Sequence, residues 1–287
     1  MKTLMIILAG LAALVLVGCD DNNDTVVNGP SDYTPPPVPQ GVYSVTRDNA
    51  VLLYWLPIDD VQGDFYKYVV YRSDVDPDTG YAEIGTTSGI NSVSFVDNDV
   101  INGHTYYYAV SSLDRSGNLS ALSYELVFDT PRPQGVNRTV TAMETTPDFA
   151  GWEFANSSNI NWQSIYCDFY LDYDDNPSVG RVFYLNAAND NTDLQDMGYT
   201  NDFDEISYAP DSGWSKNGWT EAIVGHTYVF WTADNHFAKV RVTAINNDNI
   251  MFDWAYQVAT GNPELKPRPP HPAGYLHHAG TSQAAMK

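Results

Sequence analysis

The chain has 287 residues, 43% of them hydrophobic and 13% aromatic. That is enough to fill more than one core, and since domains typically run about 100 to 150 residues, two folded domains are expected. Thirty-six acidic residues against fourteen basic give a formal charge of −22, which repels phosphate backbones and excludes nucleic acid as a partner.

The first element is an apolar run from Leu4 to Val17 behind a single charge at Lys2. It is too short to span a bilayer comfortably and reads as a cleavable export segment, residues 1–19. Its end, Leu16-Val-Gly-Cys19, resembles a bacterial lipobox. The resemblance implies a diacylglyceryl group on the Cys19 thiol and cleavage that makes Cys19 the N-terminus. Several acyl chains, at ~0.8 kcal/mol per buried CH₂, hold a protein stably to a membrane. The expected address is therefore the bacterial cell envelope, membrane-anchored and extracytoplasmic, with the leaflet left open. Residues 20–37, rich in Asp and Asn and closing on Pro35-Pro36-Pro37, cannot bury enough apolar surface to order themselves and form a tether.

From residue 38 to 130, short alternating runs recur between turn residues: Val51 to Leu56, Tyr66 to Tyr71, Ala82 to Thr86, Ser92 to Val96, Thr105 to Ser111 and Leu122 to Phe128. Such spacing predicts an all-β sandwich. The segments Ala50-Val-Leu-Leu-Tyr-Trp55, Tyr66-Lys-Tyr-Val-Val-Tyr-Arg-Ser73 and Asn102-Gly-His-Thr-Tyr-Tyr-Tyr-Ala-Val110, in that order, resemble a fibronectin type III domain. By that resemblance Trp55 is the core tryptophan and Tyr106 the corner tyrosine, both structural. Parity then turns Tyr108 and Val110 inward with Tyr106, and Tyr107 and Ala109 outward. The loop Arg115-Ser-Gly-Asn118 lacks the Arg-Gly-Asp triplet, so the integrin-binding role of animal members does not carry over.

Residues 131–136, Pro131-Arg-Pro-Gln-Gly135 and its neighbour, read as a short stiff linker. Residues 137–265 form a second antiparallel β domain, in which Tyr228 to Thr232, Ala238 to Thr243 and Ile250 to Val258 are half-buried strands. Asn246-Asn-Asp-Asn249 is turn chemistry between the last two and predicts a hairpin. In the final strand Ile250, Phe252, Trp254, Tyr256 and Val258 share the inner face, and Asp253 and Gln257 face water. Cys167 lies in a strand whose inner face is Ile165, Cys167, Phe169 and Leu171; with Cys19 lipidated it has no partner and reads as a small core residue. Gly-His-Thr-Tyr occurs at Gly103 and again at Gly225, with flanks that disagree; this is one turn-into-strand device used twice rather than a duplication. Residues 266–287, following a run of prolines, form a tail whose His271, His277 and His278 are too sparse for a metal site.

Phosphate loops, nucleophile elbows, HExxH helices and paired metal-binding cysteines are absent from the sequence, so no catalysis is expected. Asp74, Asp76 and Asp78 alternate ahead of Gly80 as hard ligands do in a calcium loop, although an EF-hand requires its glycine one place earlier and a bidentate Glu where Gly85 stands. The alternative is a solvated turn. Trp214 and Trp219, in a glycine-punctuated loop, either stack on a ligand or plug the end of the sandwich. The segment from Gly225 to Val242 is similar to the C-terminal hairpin of the heme-binding surface lipoproteins of Bacteroidetes. The resemblance does not extend to the ligand positions; a heme or other flat apolar ligand would instead draw on His226 and His236, since neutral imidazole suits iron and both lie in the second domain. The expected function is binding or adhesion at the envelope, the first domain a spacer and the second presenting loops to a protein or glycan. Heme or metal capture is the first alternative, and a carbohydrate-binding or carbohydrate-active protein the second.

Overall fold

The computed structural model describes residues 32–265. The export segment, Cys19, most of the tether and the histidine-bearing tail lie outside the described residues. The fold is all-β: a fibronectin type III sandwich followed by a second antiparallel β sandwich, both within one compact unit. Among the described residues no helix is long and apolar enough to cross a membrane.

The first sandwich contains β1 (Tyr43–Arg47), β2 (Ala50–Tyr54), β3 (Phe65–Ser73), β4 (Ala82–Ser88), β5 (Ser94–Asp97), β6 (Tyr106–Asp114) and β7 (Val127–Asp129). A sheet ordered β1-β2-β5 packs on one ordered β4-β3-β6-β7. Alternation builds the core between them: Val51 and Leu53 from β2 meet Tyr68 and Val70 from β3 and Tyr106, Tyr108 and Val110 from β6. Trp55, just past β2, lies edge-on to Tyr68 at 5.4 Å. Each such side chain, once buried, stabilises the fold by about 1.5–3 kcal/mol. Two expectations about this sandwich fail. Ala109 is buried, because Tyr81 and the stretch 122–126 close over the outer face of β6. The last strand shrinks to three residues, because Ser120 and Ser123 offer their hydroxyls to the amides of Ser112 and Val110 in place of backbone carbonyls.

The second sandwich contains β8 (Gln134–Thr141), β9 (Gly151–Glu153), β10 (Ser158–Ile160), β11 (Phe169–Asn176), β12 (Gly180–Ala187), β13 (Asp193–Tyr199), β14 (Trp219–Glu221), β15 (His226–Trp231), β16 (Phe237–Ile245) and β17 (Asn249–Gln257). Two five-stranded sheets, β10-β9-β11-β12-β14 and β13-β15-β16-β17-β8, face each other. Between them Phe169 lies 5.0 Å from Phe230 and 5.8 Å from Phe252, bridging the sheets through aromatic contacts. The Asn246–Asn249 turn joins β16 to β17, with Ile245 opposite Ile250. Strand β11 starts only at Phe169; the preceding residues form turns, so Ile165 is 86% exposed instead of sharing the core with Cys167. Cys167 itself is buried, its thiol pushed up to about 12 chiefly by desolvation, which suits packing and not nucleophilic chemistry.

Each sandwich carries a tyrosine corner, and the repeated Gly-His-Thr-Tyr marks both. In the first, the Ile101 amide donates to Tyr106 Oη at 3.1 Å; in the second, the Ile223 amide donates to Tyr228 Oη at 2.7 Å, and that hydroxyl donates to the Glu221 carbonyl at 2.8 Å. The glycines preceding them, Gly103 and Gly225, have φ of +83° and +88°, which L side chains rarely adopt. Tyr228→Phe removes the partner of two main-chain groups beside the core and should cost about 1–3 kcal/mol. A urea midpoint equal to the wild type's would show that the corner contributes nothing.

The predicted linker is in fact a buried joint. Its Gln134 already belongs to β8, and Arg132 is only 1% exposed. The Arg132 guanidinium donates from Nε and Nη2 to the Leu265 carbonyl and from Nη1 to Gln134 Oε1. The first sandwich reaches in as well: the Gly103 amide donates to the Pro131 carbonyl at 2.8 Å, and Thr105 shares a hydroxyl hydrogen bond with Thr130 at 2.9 Å. Thr130 in turn donates to Glu264 Oε2 at 3.0 Å. Gln257, expected in water, is fully buried here and donates from Nε2 to the Glu264 carbonyl at 3.1 Å.

Candidate functional site

A cleft of about 550 Å³ opens on the outer face of the β10-β9-β11-β12-β14 sheet. Register sets its floor. Tyr170 on β11 pairs with Asn186 on β12, and Asn186 pairs with Trp219 on β14. Phe169, Leu171 and Leu185 point into the core, so strict alternation turns this row of three outward. Neighbouring strands are about 4.8 Å apart, which puts Tyr170 and Trp219 roughly 10 Å from each other across the floor.

The walls are loops held by their own hydrogen bonds. Asn161 Nδ2 donates to Asp148 at 2.7 Å and anchors the turn that carries Trp162, whose ring sits 5.2 Å from that of Tyr170. On the far side Ser215 Oγ donates to the Trp219 carbonyl at 2.8 Å, closing the Ser215–Gly218 turn. Trp219 is 45% exposed and packs edge-on against Tyr184 at 5.1 Å. A third loop is braced by the Asn189 carboxamide, which accepts from the Asn191 amide at 3.0 Å. On the floor, Asn186 Nδ2 donates to Asp172 Oδ1 at 2.8 Å, which holds this amide in place.

By contrast, Gln163, Asp190, Asp193, Lys216 and Asn217 line the cleft and make no side-chain hydrogen bond among the described residues. Their polar groups are free to meet a ligand. Most of the exposed lining is polar, interrupted by the rings of Trp162, Tyr170 and Trp219.

The sites expected from sequence fare differently. The two loop tryptophans separate: Trp219 borders the cleft, whereas Trp214 is half-buried and packs beside Trp231 in a small cluster with Val229 and Phe237 on the outer face of the other sheet. The histidines do not converge. His226 stands at the start of β15, with Nδ1 3.0 Å from both Asp196 carboxylate oxygens; His236 lies past its far end, about 17 Å along the strand, with Nδ1 3.1 Å from the Gln257 carbonyl. One heme cannot be ligated by both. In the β3–β4 loop both Asp76 oxygens are engaged by the loop itself, accepting from the Asp78 and Thr79 amides and the Thr79 hydroxyl, which holds that carboxyl below its ordinary range. Asp74 and Asp78 remain exposed, so only the Asp76 carboxylate is spent on closing the turn. Asp168, raised to about 7 mainly by desolvation, accepts from the Phe154 amide at 2.8 Å and serves the turn before β11.

Comparison with known curated proteins gives matches over part of the chain. No protein-family model matches the chain. Over 96 residues, about the length of one sandwich, it is 35% identical to an amylopullulanase of Thermoanaerobacterium saccharolyticum, covering 33% of this chain and 7% of that protein. Over 105 residues it is 33% identical to exoglucanase B of Cellulomonas fimi, covering 36% of this chain and 9% of that one. The chain thus spans less than a tenth of these enzymes. Among solved structures, an Fn3-like protein from Clostridium thermocellum is 26% identical, with 36% of this chain and 100% of that chain covered and a TM-score of 0.28. The three- and four-stranded sheets and the Tyr106 corner give the first sandwich a fibronectin type III-like fold. What is shared with the two enzymes is a stretch the length of a module, not their bulk.

Proposed function

We propose that the protein is a lipid-anchored, extracytoplasmic binding protein without catalytic activity. In this reading Cys19 carries the anchor, the acidic tether and fibronectin type III-like sandwich act as spacer, and the second sandwich presents its cleft to a ligand outside the cytoplasm. The cleft carries the reading. Exposed rings and unpartnered polar side chains stand on a floor fixed by strand register, which is how a rigid scaffold presents a binding surface. The modular relatives support the spacer role, since stretches of this length recur inside much larger proteins.

The anchor has a direct test. Cells expressing the chain and fed labelled palmitate should yield a labelled protein in the membrane fraction, and Cys19→Ala should lose both label and membrane association. Undiminished labelling of the variant would sink the anchor.

A further inference from the structure

We infer that the cleft between the Trp162 loop and the Ser215–Trp219 turn binds an uncharged oligosaccharide. The inference rests on the binding-protein reading and names the ligand class of the same site. Three features converge on it. The first is the pairing of ring faces with amides: Tyr170 and Trp219 flank Asn186 on the floor, and Trp162 tilts at 43° over Tyr170. A pyranose has a C–H face that packs on an aromatic ring and an equatorial belt of hydroxyls that both donate and accept, and amides supply both roles at once. The second is the free polar rim of Gln163, Asn217 and Lys216, which provides donors and acceptors beside the floor. An apolar ligand would leave these groups desolvated without partners.

The third is charge. Asp190 and Asp193 face the cleft against the single cation Lys216, on a chain of formal charge −22. That field disfavours uronic-acid polymers, sulfated glycans and nucleotides, and leaves neutral sugars. The spacing of roughly 10 Å between the Tyr170 and Trp219 strands exceeds one ring, so the cleft favours oligosaccharides over monosaccharides.

The test is isothermal titration of the full chain, held in a detergent without a sugar headgroup, against cellohexaose, maltohexaose, laminarihexaose and mannohexaose, with polygalacturonate and glucose alongside. At least one neutral hexasaccharide should bind more tightly than glucose and than polygalacturonate, and Trp219→Ala and Trp162→Ala should each weaken it at least tenfold. Tyr66→Ala, which removes an exposed ring from β3 of the first sandwich, should leave affinity unchanged, and matched melting temperatures would separate lost binding from lost folding. Failure of all four neutral sugars to bind at millimolar concentration, equal binding of polygalacturonate, or affinity indifferent to both cleft substitutions would each overturn the inference. Release of shorter sugars from the bound hexasaccharide, lost in the same variants, would support the cleft while overturning the non-catalytic reading on which it rests.

Discussion

Replacing Arg132 by methionine should destabilise the protein by about 3–5 kcal/mol, the cost of removing one partner from a buried charged network. Methionine keeps much of the stem's volume, so the loss isolates the guanidinium. Without it the Leu265 carbonyl and Gln134 Oε1 lose their donors inside the joint. The carboxyls of Asp129 and Glu264, both buried, also lose the positive charge that holds their protons less tightly. Because groups from both sandwiches meet there, the loss should spread: a chain that unfolds in one urea transition as wild type should show two in Arg132→Met, one for each sandwich. A single transition at the wild-type midpoint would mean that the joint is structurally present and energetically idle.

That joint was the least legible feature of the sequence. Pro131-Arg-Pro reads as a spacer because proline and an isolated charge usually mark exposed chain, and nothing local shows that Leu265, more than a hundred residues away, supplies the acceptor. The same limit applies to Lys239. Alternation in β16 turns it away from the core, yet it is fully buried, donating to the carbonyls of Phe203 and Ile206 at 2.7 and 3.0 Å in the loop folded over that face. Strand periodicity reports which face a residue occupies and is silent on what covers the face.

The opposite holds where chemistry is local. Turn residues and alternation locate most of β2–β6 and the β16–β17 hairpin, and the second Gly-His-Thr-Tyr marks a corner tyrosine. Its flanks differ because only the turn and the hydroxyl are required. The cleft lies between these cases. Trp219 stands out as a ring in a glycine-rich loop, but its companions Tyr170 and Trp162 become neighbours only once β11, β12 and β14 pair in register. Tyr170 could be assigned to an outward face from its parity with Asp172; that the face forms a cleft depended on two loops distant in sequence.

Stability should fall as pH rises from about 5 to 8, by about 2–4 kcal/mol. Burial raises Asp129 from 3.8 to about 7, opposed by the Thr46 and Ser44 hydroxyls and by Arg132. Burial also raises Glu264 from 4.5 to about 8, reinforced by the Asp129 charge and opposed by Thr130 and Arg132. Two carboxyls share one guanidinium, so the joint is neutral when one of them keeps its proton. Through most of this window the unfolded chain has released both protons while the folded chain still holds at least one, so the folded state binds more protons and each step up in pH favours unfolding. Asp129→Asn with Glu264→Gln keeps the shapes and fixes the neutral forms. The double variant should be more stable than wild type at pH 8 and nearly equal at pH 5. General repulsion among the remaining carboxylates acts on both proteins and leaves the difference intact. Parallel stability curves, offset by a constant between pH 5 and 8, would show that these two carboxyls titrate as they do in water and that the joint holds no proton.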